Sequence, residues 1–308
     1  MTGGEDLGRT DALLVLHHGE LVTERYGPDV DVSTPLRSWS MAKSMLHACV
    51  GMLVDDGALS LTEPAAVPEW SDPDDPRHAI TLWDLMRMQA GLEWQEDYVG
   101  DGSDVIEMLF SRQWEPVADT GGFAASKPLA VAPGTRLNYS SGTTNIVSRL
   151  VADTVGRGPD YGSWLRRRLF DPVGMESATP VFDEVGTWIA SSYCWCTARD
   201  FVRFGRLYLD DGCVDGGTTR ILDGDWVATA RTPTGREPPA EGGGVHTAHW
   251  WAFDDRVPEA FMCSGYEGQY IVVVPSADAV VVRLGKSDAS IRDNVRSALC
   301  EVIEGLGG

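Results

Sequence analysis

Apolar and polar residues alternate near both ends of the chain, and this pattern predicts β-strands there. The segment DALLVLHHGELVTERYG (11–27) contains two such runs on either side of a turn at His18-Gly19-Glu20, which predicts a β-hairpin. Three further strand patterns occur near the C-terminus, in HTAHWWAFDD (246–255), AFMCSGYEG (260–268) and QYIVVVPSADAVVVRLG (269–285). An amphipathic stretch predicts a closing helix at about 290–305.

Between these ends the apolar residues recur at helical spacing. The predicted helices are a run from about Ser40 to Gly57, TLWDLMRMQAGL (81–92), GTTNIVSRLVADTVG (142–156), DYGSWLRRRLFDPVGM (160–175) and TARDFVRFGRLYLDDG (197–212). Residues 57–70 and 233–244, rich in Pro and Gly, are predicted connectors, and 93–135 is irregular in the manner of loops over a site.

Strands at both ends and helices between them predict an α+β fold. We expect one antiparallel sheet from the N- and C-terminal strands, flanked by helices, with an inserted, mainly helical subdomain. The predicted division is 1–60 with 230–308 for the sheet domain and 61–229 for the helical domain.

Charge and hydropathy exclude several classes of partner. The chain of 308 residues is 43% hydrophobic, enough for a sizeable core, and carries a net charge of −21. Such a surface repels nucleic-acid phosphates and anionic lipids, so neither is an expected partner. No apolar run reaches the roughly 18 residues of a membrane span. The first residues, MTGGEDLGRTD, lack the pattern of a secretory leader, which predicts a cytoplasmic protein if this is the native chain.

The cysteines and histidines do not form a recognisable metal motif. Cys194 and Cys196 form C-x-C without a second pair at zinc-like spacing. His246 and His249 form H-x-x-H within a predicted strand, where positions three apart face opposite sides. We therefore expect reduced, buried cysteines and neither a metal nor another cofactor.

A lysine inside an apolar helix is the strongest candidate for chemistry. The chain has only three lysines, Lys43, Lys127 and Lys286, and Lys43 lies in SWSMAKSMLHACVGMLVDDG (38–57). Burial lowers the pKa of a lysine towards the neutral amine, which is a base. Ser40 lies three residues earlier, on the same helical face, and a serine needs such a base to become a nucleophile. The start of a helix also offers free N–H groups to an oxyanion.

A structural alternative explains the same two residues. Ser40 would be an ordinary N-cap, and Lys43 would extend its ammonium to water. Because S-x-x-K fixes only two positions, the motif needs partners elsewhere in the chain.

Such partners occur at Tyr139-Ser140-Ser141 and in the glycine-flanked turn of CSGYEGQYIVVVP (263–275). With SWSMAKS, ITLWDLMRMQAGLEW, PGTRLNYSSG, LFDPVGM and SSYCWCTARDFVRFG, their order and spacing resemble the β-lactamase-related serine hydrolases over nearly the whole chain. That family includes class C β-lactamases, D-alanyl-D-alanine peptidases, serine esterases and 6-aminohexanoate-dimer hydrolases. The S-M-A-K-S and G-x-x-G-Q forms are most similar to the esterase and nylon-oligomer hydrolase branch. The resemblance implies an α/β sheet domain, a helical domain and a site at their junction.

The resemblance also implies roles for individual residues. Ser40 matches the nucleophile, Lys43 its general base, and Tyr139 the residue that relays a proton to the leaving group and helps to activate water. Ser141 matches a hydrogen bonder to substrate or to Lys43. The backbone N–H groups of Gln269 and Ser40 would form the oxyanion hole.

The third motif departs from the β-lactamase pattern. Tyr266-Glu267-Gly268 stands where those enzymes usually have a cationic lysine, and Ser141 replaces an asparagine. Gly268 fits a turn and also a close approach by substrate. We therefore expect poor affinity for anionic penicillins and D-Ala-D-Ala ends and a preference for neutral esters or amides. The substrate-lining candidates are Trp94, Tyr98, Trp188 and Tyr193.

These features predict a serine hydrolase that cleaves a small ester or amide through an acyl-enzyme. The alternatives are a β-lactamase or D-amino-acid peptidase, an acyltransferase, and, more weakly, a ligand-binding relative without catalysis. The sequence does not determine the acyl group, the leaving group or the oligomeric state.

Overall fold

The computed structural model describes residues 6–98, 102–110, 116–237 and 244–307. Its strands are β1 (Arg9–His17), β2 (Glu20–Tyr26), β3 (Leu36–Arg37), β4 (Thr179–Pro180), β5 (Cys194–Cys196), β6 (Cys213–Val214), β7 (Thr219–Arg220), β8 (Gly235–Arg236), β9 (Val245–His246), β10 (Trp251–Asp254), β11 (Val257–Gly265), β12 (Gln269–Val274) and β13 (Ala279–Lys286). Its helices are α1 (Met41–Asp55), α2 (Leu82–Met86), α3 (Asp104–Phe110), α4 (Thr120–Ala125), α5 (Ser141–Val155), α6 (Pro159–Leu165), α7 (Asp171–Val173), α8 (Ala198–Leu209), α9 (Gly224–Thr229) and α10 (Arg292–Glu304). A π-helical turn, Arg166–Phe170, joins α6 to α7.

One eight-stranded sheet joins the two ends of the chain, in the order β2-β1-β13-β12-β11-β10-β9-β8. The pairings from β2 to β8 are antiparallel, and β1 pairs with β13 from Arg9↔Lys286 to His17↔Ala279. The fold is therefore the predicted α+β arrangement.

The two faces of β1 bury different layers, since successive side chains of a strand point to opposite sides. Ala12, Leu14 and Leu16 belong to the larger core, which also contains buried residues of α1, α5 and α8. Leu13 and Val15 belong to a smaller core, which the closing helix α10 covers with residues such as Val295 and Leu299.

The inserted helices place the start of α1 between the sheet and α5. Helix α1 contacts β11 and β12 on one side and α5 on the other. Every residue from Met41 to Leu53 is buried, so α1 is the central helix of the larger core. Helix α8 packs on β1, β12 and β13.

The predicted boundary between sheet and helical domains stays a proposal. Helix α8 lies in the range 61–229, yet it packs directly on the sheet. Grouping elements by packing would therefore place α8 with the sheet domain.

Two predicted elements are wrong in extent. The helix predicted over 81–92 is limited to Leu82–Met86, because Met88 adopts a left-handed φ of 56° that no α-helix accepts. The strand predicted over 246–255 is interrupted after His246, where Thr247 donates its amide to the Trp250 carbonyl and His249 has a φ of 57°. The irregular segment 93–135 contains two short helices, α3 and α4.

Within the described residues, none of the helices is long and apolar enough to cross a membrane.

Candidate active site

Ser40 is the last residue before α1, and its hydroxyl is not used as a helix cap. The turn that leads into the helix is unusual, since Trp39 has a left-handed φ of 47°. A non-glycine residue persists in this conformation only where its surroundings hold it. The Arg37 guanidinium carbon lies 3.5 Å from the centroid of the Trp39 ring, and Ser38 exchanges hydrogen bonds with Cys194 through its amide and its hydroxyl. The strained turn leaves the Ser40 hydroxyl free for another partner.

That partner is Lys43, one turn further along α1. Its side-chain nitrogen Nζ lies 3.1 Å from Ser40 Oγ, 3.1 Å from Ser141 Oγ and 2.8 Å from the Ser191 carbonyl oxygen. Lys43 is only 2% exposed, so its amine does not reach water as the structural alternative required.

The start of α5 brings two further predicted residues to Lys43. The Ser140 hydroxyl accepts a hydrogen bond from the Thr143 amide and so caps α5, which fixes its neighbours on either side. Ser141 is fully buried beside Lys43, and the Tyr139 ring centroid lies 4.9 Å from Lys43 Nζ. The structure thus gathers Ser40, Tyr139 and Ser141 around the buried amine of Lys43.

Burial shifts the pKa values in this group. It lowers the pKa of Lys43 from 10.5 to about 8, although the nearby Glu96 carboxylate acts in the opposite direction. Burial, and then the negative charge of Glu96, raises the pKa of Tyr139, while the adjacent Ser40 hydroxyl acts to lower it. Lys43 can therefore exchange a proton near neutral pH, whereas Tyr139 stays a protonated phenol.

Glu96 is a site residue that sequence reasoning missed. Its carboxylate accepts hydrogen bonds from the Ser141 hydroxyl at 2.5 Å, the Ser141 amide at 2.8 Å and the Trp94 indole N–H at 2.6 Å. Its sequence context, an acid in the polar stretch WQED, does not distinguish it from solvated surface acids. Glu96 is recognised as a site residue only in the structure, where the loop that carries it approaches the start of α5 and places its carboxylate against Ser141.

Ser40 opens onto a cavity of about 920 Å³, within the range of small-molecule sites. Its acidic lining residues are Glu96, Asp97, Glu237, Glu267 and Asp288, and its basic ones are Arg292 and Arg296. Among these acids, Glu267 has its Oε1 atom 3.5 Å from Lys286 Nζ. Among the described residues the wall is therefore mixed in charge, with more acidic than basic side chains.

Several predicted substrate residues line this cavity. They are Trp94, Tyr98, Tyr266 and Gly268. The Tyr98 and Tyr266 rings are stacked with centroids 4.7 Å apart, and the buried Tyr98 hydroxyl has no hydrogen-bond partner among the described residues. Burial raises the pKa of Tyr98, so this phenol stays neutral.

Ser141 and three other predicted substrate residues are not part of the described cavity wall. Gln269 begins β12, and its buried side-chain amide is hydrogen-bonded to the Gly285 backbone N–H and carbonyl. Trp188 is fully buried in the core, and Tyr193 packs against the Arg37 guanidinium. The proposed oxyanion role of the Gln269 backbone N–H stays a prediction.

The described residues contain no group of three or more His, Cys, Asp or Glu side chains placed to hold a metal ion. The six cysteines are free and buried, and the sulfurs of Cys194 and Cys196 lie 3.6 Å apart. His246 and His249 are both buried, and His249 bonds the Met86 carbonyl and the Thr144 hydroxyl.

Comparison with known proteins identifies similar sequences and similar folds. The 6-aminohexanoate-dimer hydrolase of Paenarthrobacter ureafaciens is 29% identical over 293 residues, which cover 89% of this chain and 72% of that protein. A solved structure described as a 6-aminohexanoate-dimer hydrolase from Bacillus anthracis superposes with a TM-score of 0.79 at 22% identity, covering 98% of this chain and 81% of that one. A family VIII carboxylesterase has the same fold, with a TM-score of 0.69, 16% identity and coverage of 95% and 92%.

The family model described as Beta-lactamase matches residues 8–299. With nearly the whole chain matched, the protein belongs to the beta-lactamase family.

Proposed function

We propose that this protein is a serine hydrolase that cleaves an ester or amide through an acyl-enzyme on Ser40. The observation that carries the proposal is the contact of 3.1 Å between Ser40 Oγ, which lines the cavity, and the buried Lys43 Nζ behind it. A serine becomes nucleophilic when a base at hydrogen-bond distance accepts its proton. Membership of the beta-lactamase family supports the same chemistry.

In the first half-reaction the neutral amine of Lys43 accepts the Ser40 hydroxyl proton as Oγ bonds to the substrate carbonyl carbon. The pKa of about 8 leaves a useful fraction of Lys43 neutral near pH 7. When the tetrahedral intermediate collapses, the bond to the leaving group breaks, and the leaving group needs a proton. Tyr139 supplies it and regains one from the Lys43 ammonium, since its raised pKa keeps the phenol protonated.

In the second half-reaction water replaces the leaving group. The neutral Lys43, with Tyr139, takes a proton from the water as its oxygen bonds to the acyl carbon. The bond from Ser40 Oγ to that carbon then breaks, and Oγ recovers the proton. The acid product leaves, and the starting protonation states are restored.

The negative charge on the carbonyl oxygen needs N–H donors. In the turn at the start of α1, the amides of Met41, Ala42 and Lys43 donate to backbone carbonyls. The first donor is proposed to be the backbone N–H of Ser40. The second donor is proposed to be the backbone N–H of Gln269, next to the 266–268 turn that lines the cavity.

We propose neutral esters or amides as the substrate class. The excess of acidic over basic side chains in the described part of the cavity wall disfavours a carboxylate-bearing substrate by like-charge repulsion. A relative named 6-aminohexanoate-dimer hydrolase supports amide cleavage. β-Lactam or D-amino-acid peptide hydrolysis, and transfer of the acyl group to an alcohol, are the alternatives that a substrate panel distinguishes.

The decisive experiment is intact mass spectrometry after treatment with a fluorophosphonate, together with p-nitrophenyl ester turnover. The wild type should gain one adduct that maps to Ser40, and Ser40→Ala should lose both the adduct and the turnover. Ser44→Ala is the matched control, because Ser44 is buried one turn later and bonds the His249 carbonyl instead of Lys43. An adduct that persists in Ser40→Ala would refute the proposal and favour a ligand-binding role.

Nitrocefin and added alcohols complete the test. Nitrocefin hydrolysis at rates comparable with a simple ester would favour the β-lactamase alternative. Capture of the acyl group by an added alcohol in preference to water would favour the acyltransferase.

A further inference from the structure

The hydrogen bonds around Ser141 have a definite direction. Glu96 accepts at 2.5 Å from Ser141 Oγ, and a carboxylate can only accept, so the single hydroxyl proton of Ser141 points at Glu96. Ser141 Oγ therefore meets Lys43 Nζ, 3.1 Å away, as an acceptor. Because its only hydroxyl proton is donated to Glu96, Ser141 cannot donate a hydrogen bond to Lys43.

This direction determines which way the Lys43 amine faces. A neutral amine has two N–H bonds and one lone pair. The Ser191 carbonyl, 2.8 Å from Nζ, can only accept, and Ser141 Oγ must accept as well. Both N–H bonds are then engaged, and the lone pair is left for Ser40 Oγ.

We propose that Glu96 is a positioning residue that holds the Ser141 hydroxyl proton and thereby directs the Lys43 lone pair at Ser40. The inference rests on the proposed function, since it assigns a role within the same reaction. Glu96 does not contact the reacting atoms; it acts through Ser141. Without its carboxylate, the Ser141 hydroxyl could donate to Lys43 and compete with Ser40 for the lone pair.

Substitution by glutamine should reverse the network. One oxygen of Glu96 accepts two N–H donors, from the Ser141 amide and the Trp94 indole. In Glu96→Gln these two donors require the amide oxygen at that position, so the NH₂ group faces Ser141 Oγ and donates to it. The Ser141 proton must then turn away from residue 96, and the Lys43 Nζ, 3.1 Å from Ser141 Oγ, is placed to accept it.

The charge of Glu96 also acts on Lys43 directly. Among the described residues, Tyr139, His246 and His249 also interact with Lys43, and Tyr98 lies next to Ser141. Burial raises the pKa values of the two tyrosines and lowers those of the two histidines, so all four are neutral near pH 8. Glu96 opposes the effect of burial on the pKa of Lys43, and its removal should lower that pKa further.

The kinetic test introduces Glu96→Gln into the wild type and into Ser141→Ala and compares the loss of kcat/KM in the two backgrounds. The values are taken at high pH, where Lys43 is neutral and kcat/KM no longer changes with pH. With Ser141 present, we expect a loss of about 10- to 100-fold. In Ser141→Ala there is no hydroxyl to reverse, so the same substitution should change kcat/KM less than about threefold. Equal losses in both backgrounds would overturn the proposal, because a purely structural role does not depend on the Ser141 hydroxyl.

A titration provides a readout without turnover. With only Lys43, Lys127 and Lys286 in the chain, protein labelled with ¹³C-lysine gives three ε-carbon signals, and Lys43→Met assigns the buried one. Its midpoint should lie near pH 8 in the wild type and move down by about one unit in Glu96→Gln. An unchanged midpoint would also overturn the inference.

The two readouts separate this inference from the proposed function. If Ser40→Ala keeps its turnover, the proposed function fails, while the Lys43 titration still tests Glu96. If turnover depends on Ser40 but Glu96→Gln behaves as the wild type, only the inference fails.

Discussion

Two buried basic residues, Lys43 and Arg283, each contact a residue of the cavity wall and are held by different kinds of partner. Lys43, at the start of α1, is 2% exposed, and Arg283, on β13, is 1% exposed. Lys43 is held by two hydroxyls and one carbonyl. Arg283 donates chiefly to carbonyl oxygens, those of Leu7, Arg9, Glu267 and Gly268, and also to the hydroxyls of Thr10 and Ser287.

The difference between hydroxyls and carbonyls explains what each cation can do. The Ser40 hydroxyl can donate or accept, so the Lys43 site accommodates both the ammonium and the neutral amine. Carbonyls only accept, so the Arg283 site requires a permanent donor, and arginine keeps its charge even when burial lowers its pKa. Lys43 is suited to proton transfer, and Arg283 joins the N-terminal strand to the 266–268 turn of the cavity wall.

The largest effects are expected when lysine and arginine are exchanged at these two positions, and the larger of the two is the loss of activity at Lys43. Lys43→Arg keeps a positive charge but cannot become a base, so ester turnover should fall by about 10³-fold or more. Lys43→Met replaces the amine by an uncharged side chain of similar length, and its ester turnover should fall by as much. Steady-state kinetics on folded protein checks both. Substantial activity in Lys43→Arg would show that a fixed charge, and not proton transfer, is what the site needs.

The reciprocal change, Arg283→Lys, should reduce stability more than activity. A lysine has three donors in place of five, so at least two buried acceptors lose their partner, and the free energy of unfolding should fall by about 3 kcal/mol. Urea unfolding measures this. Arg9→Lys is the control, since the Arg9 side chain is 60% exposed beside Asp11 and should change stability by about 0.5 kcal/mol or less. Equal losses in the two variants would contradict the role assigned to Arg283.

The smallest expected effect concerns the contact of Arg283 with the turn. Gly268 has a φ of +81°, and a Cβ there would lie 2.7 Å from Arg283 Nη1. Gly268→Ala should therefore destabilise the protein by about 2 kcal/mol. Gly57 has a φ of +69°, and a Cβ there would meet none of the described atoms within 4 Å, so Gly57→Ala carries the backbone strain alone, about 1 kcal/mol. Matching thermal unfolding curves for the two variants would show that the turn yields to the added methyl group.

Periodicity predicted the architecture well where elements are long. The hairpin of β1 and β2, the central helix α1 and the paired strands β12 and β13 follow directly from spacing and turn residues. The short elements were harder. The left-handed Met88 and His249 end a helix and a strand that spacing alone would continue, because these conformations depend on tertiary hydrogen bonds and packing.

The sequence by itself determined the pairing of Ser40 with Lys43, because residues three apart on a helix share a face whatever surrounds them. Its apolar neighbours also indicated that the lysine would be buried. Only the tertiary structure decided what else holds that amine. Ser141 and Ser191 are 98 and 148 residues away from Lys43 along the chain, and Glu96 reaches it through Ser141. No local pattern encodes such contacts, since hydrogen bonds between distant loops form only once the helices have packed.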